Sequence, residues 1–480
     1  MQDQLRRKRS RTKIIATVGP ACRSTEKIAE LISAGVDVFR LNMAHASREE
    51  HEQALAMIRQ ASDDLQQPIA VLVDLAGPKI RLGELPRDEI ECQPDAEFRF
   101  IRGDTPAADN ELVSTYPPLV DELKVGDTVM LADGTVGMKV VEKTEDFARC
   151  QVTQPGLIRS RQGLNLPGVQ LSAPSMDDDD RAGALWAAEN EIDFVGLSFV
   201  RQPSDVGELK DLLRSRGASA RVIAKIEKQE ALDRLDEIIS VADGIMVARG
   251  DLGVEIDVAR MPVVQKRIVA ACRDLHKPVI IATQMLDSMQ HSSRPTRAEV
   301  TDVANAILDG GDACMLSGET AIGKYPRAAV DMMNNVALAT EELFRDNLPS
   351  VAGEFRAEGL HPITEAIVIG AGHVAADLDA KLVVVASHSG ATALALSKQR
   401  TYVPTVGISD SAATLRRMCL FWGVIPLPNI KSDTSENILE GVTQWGVKRE
   451  VLASGDYVVM VSGLGLQVGS HNQVMVHRVP

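Results

Sequence analysis

Short apolar runs alternate with amphipathic stretches through most of the chain. In the first part, strand-like runs at 14–17, 38–42 and 69–74 are separated by stretches at 25–34 and 47–65 in which apolar residues recur at helical spacing. Five more strand-like runs follow at 194–199, 222–227, 244–248, 279–283 and 313–317, again separated by helix-like segments. Together they give eight strands, which is the count of a (β/α)8 barrel.

A turn-rich region interrupts this alternation after residue 77. Gly-Asp, Asp-Gly and Pro-Gly turn signals recur there without helical periodicity, which is typical of an all-β insertion. A second α/β pattern begins near residue 346 and ends in an alternating segment at 473–479 that suits an edge strand. We therefore predict an α/β fold: a (β/α)8 TIM barrel at 1–77 and 173–345, an inserted all-β lid domain at 78–172, and a C-terminal α/β open-sheet domain at 346–480.

Composition limits the classes of partner. The 480 residues are 45% hydrophobic and 25% charged, as expected for a globular protein of two or three domains. A net charge of −15 argues against binding to nucleic acid or to an anionic membrane. We find no apolar run of the roughly 20 residues that cross a bilayer, and no signal-peptide pattern. The six cysteines are scattered without a C-x-x-C pair, which favours a reducing cytoplasm over a zinc site or disulfide framework.

The stretch 222–255 carries the most specific chemical signal. Lys225 and Glu227 alternate with apolar residues on a predicted strand, so both point to one face. Asp251 follows the next strand, between glycines that let backbone N–H groups approach a ligand closely. Because the C-terminal strand ends of a parallel barrel form its active face, the three side chains could share a site, with a divalent metal between the carboxylates. From these residues alone, a solvated strand face is the alternative.

Other strand ends add charged and polar residues to the same mouth. They are Arg40 and Asn42 after the second strand, Asp74 after the third with Lys79 and Arg81 beyond it, and Thr283 after the seventh. Cations beside metal-binding carboxylates are what phosphoryl transfer requires, because its catalysis is mainly positioning and neutralisation of charge. Each residue also has a structural alternative: Arg40 could pair with Asp74, and Thr283 could cap a helix.

Eight motifs occur in a fixed order along the chain. They are KIIATVGP at 13–20, RLNMAH at 40–45, GPKIR at 77–81, KIE at 225–227, ARGDLG at 248–253, ATQML at 282–286, PTRAEV at 295–300 and LSGET at 316–320. In combination they make the sequence resemble the pyruvate kinase family over almost its whole length. The resemblance implies phosphoryl transfer from phosphoenolpyruvate to ADP, giving pyruvate and ATP, by a glycolytic enzyme that requires Mg²⁺ (Mn²⁺ can substitute) and forms a homotetramer.

The resemblance also implies a role for each candidate residue. Lys225 and Arg40 neutralise the moving phosphoryl group, and Lys225 stabilises the enolate. Glu227 and Asp251 ligate Mg²⁺. The backbone N–H groups of Gly250 and Asp251, with the Thr283 hydroxyl, hold the substrate carboxylate, and Thr283 lies on the proton route to the enolate carbon. Arg81 and Asn42 bind the nucleotide.

The cation shell around this site departs from the family pattern. Family members that require K⁺ hold it with an Asn, a Ser and an Asp; here Asn42 and Asp74 fit, but Ala44 replaces the Ser. Lys79 stands where such members have Glu, and its ammonium can supply the charge of K⁺. A bound K⁺ would add repulsion of about 1 kcal/mol or more at 4 Å from that ammonium, even in water. We therefore expect an enzyme that works without K⁺, with Asn42 and Asp74 as a residual monovalent-cation site.

Asp179 is a second departure, because the family commonly places a nucleotide-contacting Lys at this position. An acidic residue in the first turn of a helix also favours the helix dipole without any ligand. This departure brings ordinary nucleotide binding into question.

A loop in the C-terminal domain resembles the effector loop of the family. Ser387, Ser389, Gly390 and Thr392 join a strand to a helix N-terminus, where hydroxyls and backbone donors can bind an anion. The loop lacks Lys and Arg, which favours a sugar monophosphate or nucleotide monophosphate over fructose 1,6-bisphosphate. A helix-capping turn is the alternative. The segment 295–299 is expected near a subunit interface.

Two other functions are compatible with parts of the sequence. A barrel lyase or aldolase acting on pyruvate-like acids would use the same metal and Arg, but it leaves the lid and Arg81 unexplained. A nucleotide- or metabolite-sensing relative would account for Ala44 and Asp179. The intact Lys225, Glu227 and Thr283 argue against it.

Overall fold

A closed barrel of parallel strands forms the largest unit of the computed structural model, which describes residues 9–169, 171–346, 361–463 and 471–480. Within these residues each barrel strand pairs with the next, and the last pairs with the first. Their side chains are almost all buried, as in parallel sheets covered by helices. In chain order the barrel strands are Lys13–Thr17, Val38–Asn42, Ala70–Asp74, Phe194–Leu197, Arg221–Ile226, Gly244–Ala248, Val279–Ala282 and Ala313–Leu316. The predicted (β/α)8 barrel is confirmed.

Helices cover the outside of the barrel and begin where the sequence signals them. Ser47 and Thr296 each form a capping box, with Glu50 and Glu299 as the reciprocal partners. Two short helices, Gln229–Asp233 and Leu235–Val241, are separated by Arg234, which has non-helical φ −119° and ψ 29°. The barrel-region helices are Thr25–Ala34, Arg48–Asp64, Asp178–Glu189, Pro203–Ser215, Gln229–Asp233, Leu235–Val241, Arg249–Glu255, Met261–Asp274, Arg297–Leu308, Gly318–Ala321, Pro326–Glu341 and Leu343–Asp346, with 3₁₀ turns at Val258–Arg260 and Asp287–Gln290.

Four aspartates tie the bottom of the barrel, where the strands begin. One aspartate stands directly before the second, fourth, sixth and eighth barrel strands. Its carboxylate accepts a hydrogen bond from a backbone N–H near the start of the preceding barrel strand. The pairs are Asp37 with Ile14 (3.0 Å), Asp193 with Val71 (2.9 Å), Asp243 with Val222 (2.9 Å) and Asp312 with Val279 (2.7 Å). Because these N–H groups would otherwise be unpaired at the sheet end, the aspartates clamp the strands in twos.

The lid follows the third barrel strand and is built of mostly antiparallel strands around its own apolar core; Glu97–Ile101 and Glu111–Leu112 are a parallel pair. Its described strands are Glu89–Cys92, Glu97–Ile101, Glu111–Leu112, Thr128–Leu131, Val136–Lys143, Phe147–Gln154, Gly156–Arg159 and Leu164–Asn165, with a helix at Leu119–Glu122. Arg81 and Gly163 form a bridge, so the entering and leaving chain run side by side at the lid base. The boundaries at 77 and 172 stay predictions.

The C-terminal domain is a separate open sheet. Strands Leu382–Ala386, Thr405–Ile408, Val424–Pro426 and Tyr457–Gly463 are parallel, and His471–Arg478 is the antiparallel edge strand that the alternation at 473–479 predicts. Its helices are Pro362–Asp377, Ala391–Lys398, Ala412–Met418 and Ser435–Lys448. The predicted boundary at 345/346 lies beside 347–360, outside the described residues. Among the described helices, none is long and apolar enough to cross a membrane.

The C-terminal domain docks on the aspartates at the bottom of the barrel. Arg416 Nε lies 2.7 Å from Asp193 Oδ1, and Lys398 Nζ lies 2.6 Å from Asp312 Oδ2. Burial lowers the pKa of Lys398. The two domains therefore meet through buried ion pairs that are costly to leave unpartnered.

Candidate active site

A cleft of about 520 Å³ opens at the C-terminal ends of the barrel strands, with the lid forming its opposite wall. Several predicted residues line it together: Arg40, Asn42, Lys79, Arg81, Lys225, Glu227 and Asp251. Asp74 lies buried just behind Arg40 and Lys225. Strand ends that are far apart in the sequence thus converge on one mouth, as in other barrels of this type.

Lys225 occupies the centre of the charged groups. Its Nζ lies 3.2 Å from Asp74 Oδ1 and 3.0 Å from Glu227 Oε1, and it donates a 2.7 Å hydrogen bond to Ser198 Oγ. Burial alone would lower the pKa of Lys225, but the carboxylates of Asp74 and Glu227 raise it above its ordinary value. The ammonium is therefore charged at any pH at which the protein would work.

Asp74 joins Lys225 to Arg40. Arg40 Nε donates to Asp74 Oδ2 at 2.6 Å and an Nη donates to Thr17 Oγ1 at 3.2 Å. Burial would raise the pKa of Asp74, but Lys225 and Arg40 hold it below its usual value. The Arg40–Asp74 pair that the sequence left as an alternative is present, and it holds Arg40 at the edge of the cleft.

Glu227 has one oxygen fixed and one without a hydrogen bond. Oε2 accepts the Phe199 N–H at 2.7 Å, whereas Oε1 accepts none from the described residues although Lys225 is near. Burial and the neighbouring charge of Asp251 raise the pKa of Glu227. Two carboxylates facing one cleft, one with a buried oxygen lacking a hydrogen bond, fit a hard divalent cation that takes its other ligands from water and substrate.

Thr283 and Gly250 contact each other rather than the cleft wall. Thr283 Oγ1 accepts the Gly250 N–H at 2.8 Å. The sequence predicts that both groups bind the substrate carboxylate, but here the Gly250 N–H is bonded to the Thr283 hydroxyl. Thr283 and Gln284 both have positive φ, 67° and 54°, which is unfavourable for a β-branched residue. Arg249 donates to Thr283 O at 2.8 Å and pairs with Asp302, which holds this turn in place.

Further cations come from the lid and from the segment 75–79, which joins the third barrel strand to the lid and is called the lid hinge below. Lys79 is exposed, and its ammonium has no ion-pair partner among the described residues; it lines the cleft with Asn42 and Ala44. Asn42 Oδ1 accepts the Ala44 N–H at 3.3 Å. Arg81 Nη1 donates to Arg161 O at 3.4 Å, so these two arginines lie side by side on the lid.

Sequence reasoning did not single out several residues of this cleft, among them His45, Arg161, Ser198 and Phe199. Ser198 and Phe199 come directly after the fourth barrel strand, so the rule that strand ends face the site would have found them. They carry no charge, and for that reason the pattern did not single them out. Arg161 reaches the cleft only because the lid folds over the barrel.

The predicted effector loop and Asp179 lie away from this cleft. Ser387 Oγ accepts the Gly390 N–H at 3.1 Å, Ser389 Oγ accepts the Ala391 N–H at 3.4 Å, and Gly390 has φ 84°. Ser387 and Thr392 are buried, whereas Ser389 is exposed. These contacts are those of a helix-capping turn, and they leave Ser389 as the accessible hydroxyl.

Asp179 is exposed in the first turn of helix Asp178–Glu189. The cap itself is made by Asp177, whose side chain accepts from the Asp180 N–H at 2.8 Å. Asp180 also reaches the lid hinge, since its Oδ1 accepts the Gly77 N–H at 3.0 Å.

Comparison with known proteins points to one family. The family model for the pyruvate kinase barrel domain matches residues 9–330, and the model for the pyruvate kinase alpha/beta domain matches residues 365–477. The chain is 38% identical over 473 residues to a pyruvate kinase of Geobacillus stearothermophilus and 37% identical over 478 residues to one of Staphylococcus aureus (strain MRSA252), covering 98% of this chain and 80% of each relative. A crystal structure of a pyruvate kinase from Cryptosporidium parvum superimposes with a TM-score of 0.90 at 32% identity, covering 100% of this chain and 98% of that one.

Proposed function

This chain belongs to the pyruvate kinase family and transfers a phosphoryl group from phosphoenolpyruvate to ADP, and on that premise we propose that the reaction takes place in the cleft between the barrel and the lid. The observation that carries the site assignment is the position of the Lys225 ammonium, which lies within 3.2 Å of both Asp74 and Glu227 at the mouth of the barrel. A fixed cation beside a pair of metal-binding carboxylates suits a reaction in which oxygen charge moves from one substrate to another.

The metal site is formed by Glu227 and Asp251. The family generally uses Mg²⁺, which would supply positive charge to the substrate oxygens when bound. Glu227 contributes an oxygen that no hydrogen bond from the described residues occupies, while the Phe199 N–H fixes the other. Mn²⁺ prefers the same oxygen ligands and is expected to substitute.

Lys225 and Arg40 neutralise charge during transfer. Both are held by Asp74 before substrate arrives, so little reorganisation is needed when charge develops. The raised pKa of Lys225 keeps its ammonium protonated, and it stabilises the enolate oxygen after the phosphoryl group has left. A preorganised donor of this kind contributes about 3–4 kcal/mol to lowering the barrier.

Thr283 binds the substrate carboxylate and lies on the proton route to the enolate carbon. Because its oxygen accepts the Gly250 N–H, its hydroxyl proton is the group with which Thr283 would donate to the substrate carboxylate. The Asp251 N–H, at the start of helix Arg249–Glu255, would be the second donor to the carboxylate. The Arg249–Asp302 pair supports this turn from behind.

The nucleotide binds against the lid. Arg81 is the predicted phosphate contact, and Asn42 faces it across the cleft. Arg161, whose backbone carbonyl accepts from Arg81 and whose guanidinium pairs with Glu84, also lines the cleft. With Asp179 in place of a lysine, the positive charge on the lid side of the cleft comes from arginines such as Arg81 and Arg161.

The enzyme works without K⁺. Both oxygens of Asp74 already face protein cations, and Ala44 offers no hydroxyl. The ammonium of Lys79, which has no ion-pair partner among the described residues, lines the same cleft. A monovalent cation would find few free ligands there and a like charge close by.

Assembly, regulation and location follow the family expectation. We place segment 295–299 near the interface of a homotetramer, Ser389 and its loop at a site for a sugar monophosphate or nucleotide monophosphate, and the enzyme in the cytoplasm. The six cysteines are all buried and unpaired, which suits a reducing compartment.

A coupled assay of pyruvate formation from phosphoenolpyruvate tests the site assignment. The wild type should form pyruvate only with both ADP and Mg²⁺, and Glu227→Gln should require a much higher Mg²⁺ concentration because it loses the ligand charge but keeps the shape. Glu208→Gln, on an exposed helix face, is the control. An unchanged Mg²⁺ requirement in Glu227→Gln would contradict the metal site. ADP-independent cleavage of another acid would favour the lyase alternative. The absence of any turnover would favour a nucleotide- or metabolite-sensing protein.

A further inference from the structure

Ser198 and Phe199 lie between the lid hinge and the catalytic charges and contact both. On the catalytic side, Ser198 Oγ accepts from Lys225 Nζ at 2.7 Å and the Phe199 N–H donates to Glu227 Oε2 at 2.7 Å. On the hinge side, Ser198 Oγ donates to Leu75 O at 2.7 Å. Leu75 directly follows the third barrel strand, from which the chain enters the lid.

The Phe199 ring packs directly against the hinge backbone at Gly77. A Cβ added at Gly77 would lie 2.6 Å from Phe199 Cδ2 and 2.9 Å from Ser198 Cβ, closer than atoms can approach. Gly77 itself has φ 73°, and Asp180 accepts its N–H at 3.0 Å, so the hinge is fixed from the other side. Lys228 Nζ lies 5.9 Å from the centroid of the Phe199 ring.

The backbone of Phe199 adopts a conformation that only its surroundings can impose. Its φ of 52° is in the left-handed region, which is uncommon for a residue with a large side chain. This conformation aims the N–H at Glu227. Two contacts accompany this conformation: the N–H bond to Glu227 and the packing of the ring against Gly77.

We propose that Phe199 is a positioning residue that couples the lid hinge to the metal-binding carboxylate. Its ring packs against Gly77 and moves when the lid hinge moves, and its N–H sets the orientation of Glu227. A movement of the lid entry strand is thereby passed to the carboxylate without any lid residue touching the metal. The proposal rests on the assignment of Glu227 as a metal ligand.

The test approaches the coupling from both ends. Phe199→Leu removes the ring, and Gly77→Ala places a methyl group against it from the hinge. We expect either variant to weaken Mn²⁺ binding at least fivefold, measured by electron paramagnetic resonance without nucleotide or phosphoenolpyruvate. In the metal-free enzyme, Phe199→Leu should also accelerate tryptic cleavage after Lys79, because the hinge loses its packing. Phe199→Tyr, which keeps the ring, should restore both values to within twofold of the wild type.

Phe100→Leu in the lid core is the control for general loss of packing, since Phe100 is fully buried away from the hinge. It should lower thermal stability and leave Mn²⁺ affinity unchanged. Wild-type Mn²⁺ affinity in both Phe199→Leu and Gly77→Ala would overturn the coupling, provided that Glu227→Gln weakens Mn²⁺ binding. If Glu227→Gln binds Mn²⁺ as the wild type does, the metal-site assignment fails and the coupling with it.

Discussion

Asp74 Oδ1 lies 3.2 Å from Lys225 Nζ although the strands that carry the two residues are not neighbours. Strand Phe194–Leu197 runs between them in the barrel. The contact is therefore made across the barrel mouth rather than along a strand pair. It holds the ammonium between Asp74 and Glu227 at the cleft.

Replacing this lysine should affect the chemical step most. We expect Lys225→Met to lower kcat by about 10²–10³-fold, because a preorganised charge at the reacting oxygen is lost. The coupled assay at saturating substrates measures it. Lys210→Met is a suitable control, since Lys210 pairs with Asp243 at the other end of the barrel. A Lys225→Met enzyme with a kcat near that of the wild type would remove Lys225 from the catalytic role.

The wild type should keep its rate in buffer free of K⁺ and Na⁺. Lys79→Glu should lose most of its activity in that buffer and regain it with about 0.1 M KCl, because the new carboxylate removes the like charge and attracts a K⁺ ion into the cleft. Lys124→Glu changes the same charge at an exposed lid position and should show no K⁺ effect. A wild-type rate that collapses without K⁺ and returns with KCl would contradict the prediction.

Arg161 should contribute to nucleotide binding in particular. We expect Arg161→Ala to raise KM for ADP about fivefold, or roughly 1 kcal/mol as for an exposed charge pair. KM for phosphoenolpyruvate should stay unchanged, since that substrate binds at the barrel. Arg102→Ala serves for comparison, because Arg102 pairs with Asp121 elsewhere on the lid surface. Equal KM values for ADP in Arg161→Ala and the wild type would exclude Arg161 from the nucleotide site.

Activation by a monophosphate should depend on Ser389. Ser389→Glu places a carboxylate at the exposed position of the loop and should abolish activation by ribose 5-phosphate or AMP through charge repulsion, with basal activity intact. Ser389 suits this test better than Thr392, whose buried side chain a glutamate would disrupt. Activation that survives in Ser389→Glu shows that the effector binds elsewhere.

Stability should depend on pH through Asp180. Burial raises the pKa of Asp180 to about 6, above the ordinary value that it has in the unfolded chain. The folded state therefore takes up a proton first, and its stability falls as pH rises through about 6. Relative to Asp180→Asn, the wild type should gain about 1 kcal/mol between pH 7.5 and pH 5. Thermal unfolding of both proteins at the two pH values measures this, and a constant difference between them would show that Asp180 does not titrate in this range.

The sequence predicted the barrel because its strands are buried on both faces and read as continuous apolar runs, as in Val279–Ala282. It predicted the charged residues of the site because Lys225, Glu227 and Asp251 stand at strand ends. It could not predict that the Thr283 hydroxyl accepts the Gly250 N–H, since that contact depends on a strained turn. The approach of Arg161 to the cleft depends on how the lid folds back.

Two of the four aspartates at the bottom of the barrel link the C-terminal domain to strands that end at the active site. Asp193 accepts the Val71 N–H of strand Ala70–Asp74 and directly precedes strand Phe194–Leu197. Through this one carboxylate, Arg416 is therefore linked to both strands. Their far ends carry Asp74 and Ser198, roughly 13–17 Å away at the usual rise per strand residue. Asp312 pairs with Lys398 in the same way and contacts the two strands that lead to Thr283 and Ser317. The C-terminal domain therefore contacts, at the bottom of the barrel, the same strands that carry Asp74 and Thr283 at or beyond their opposite ends.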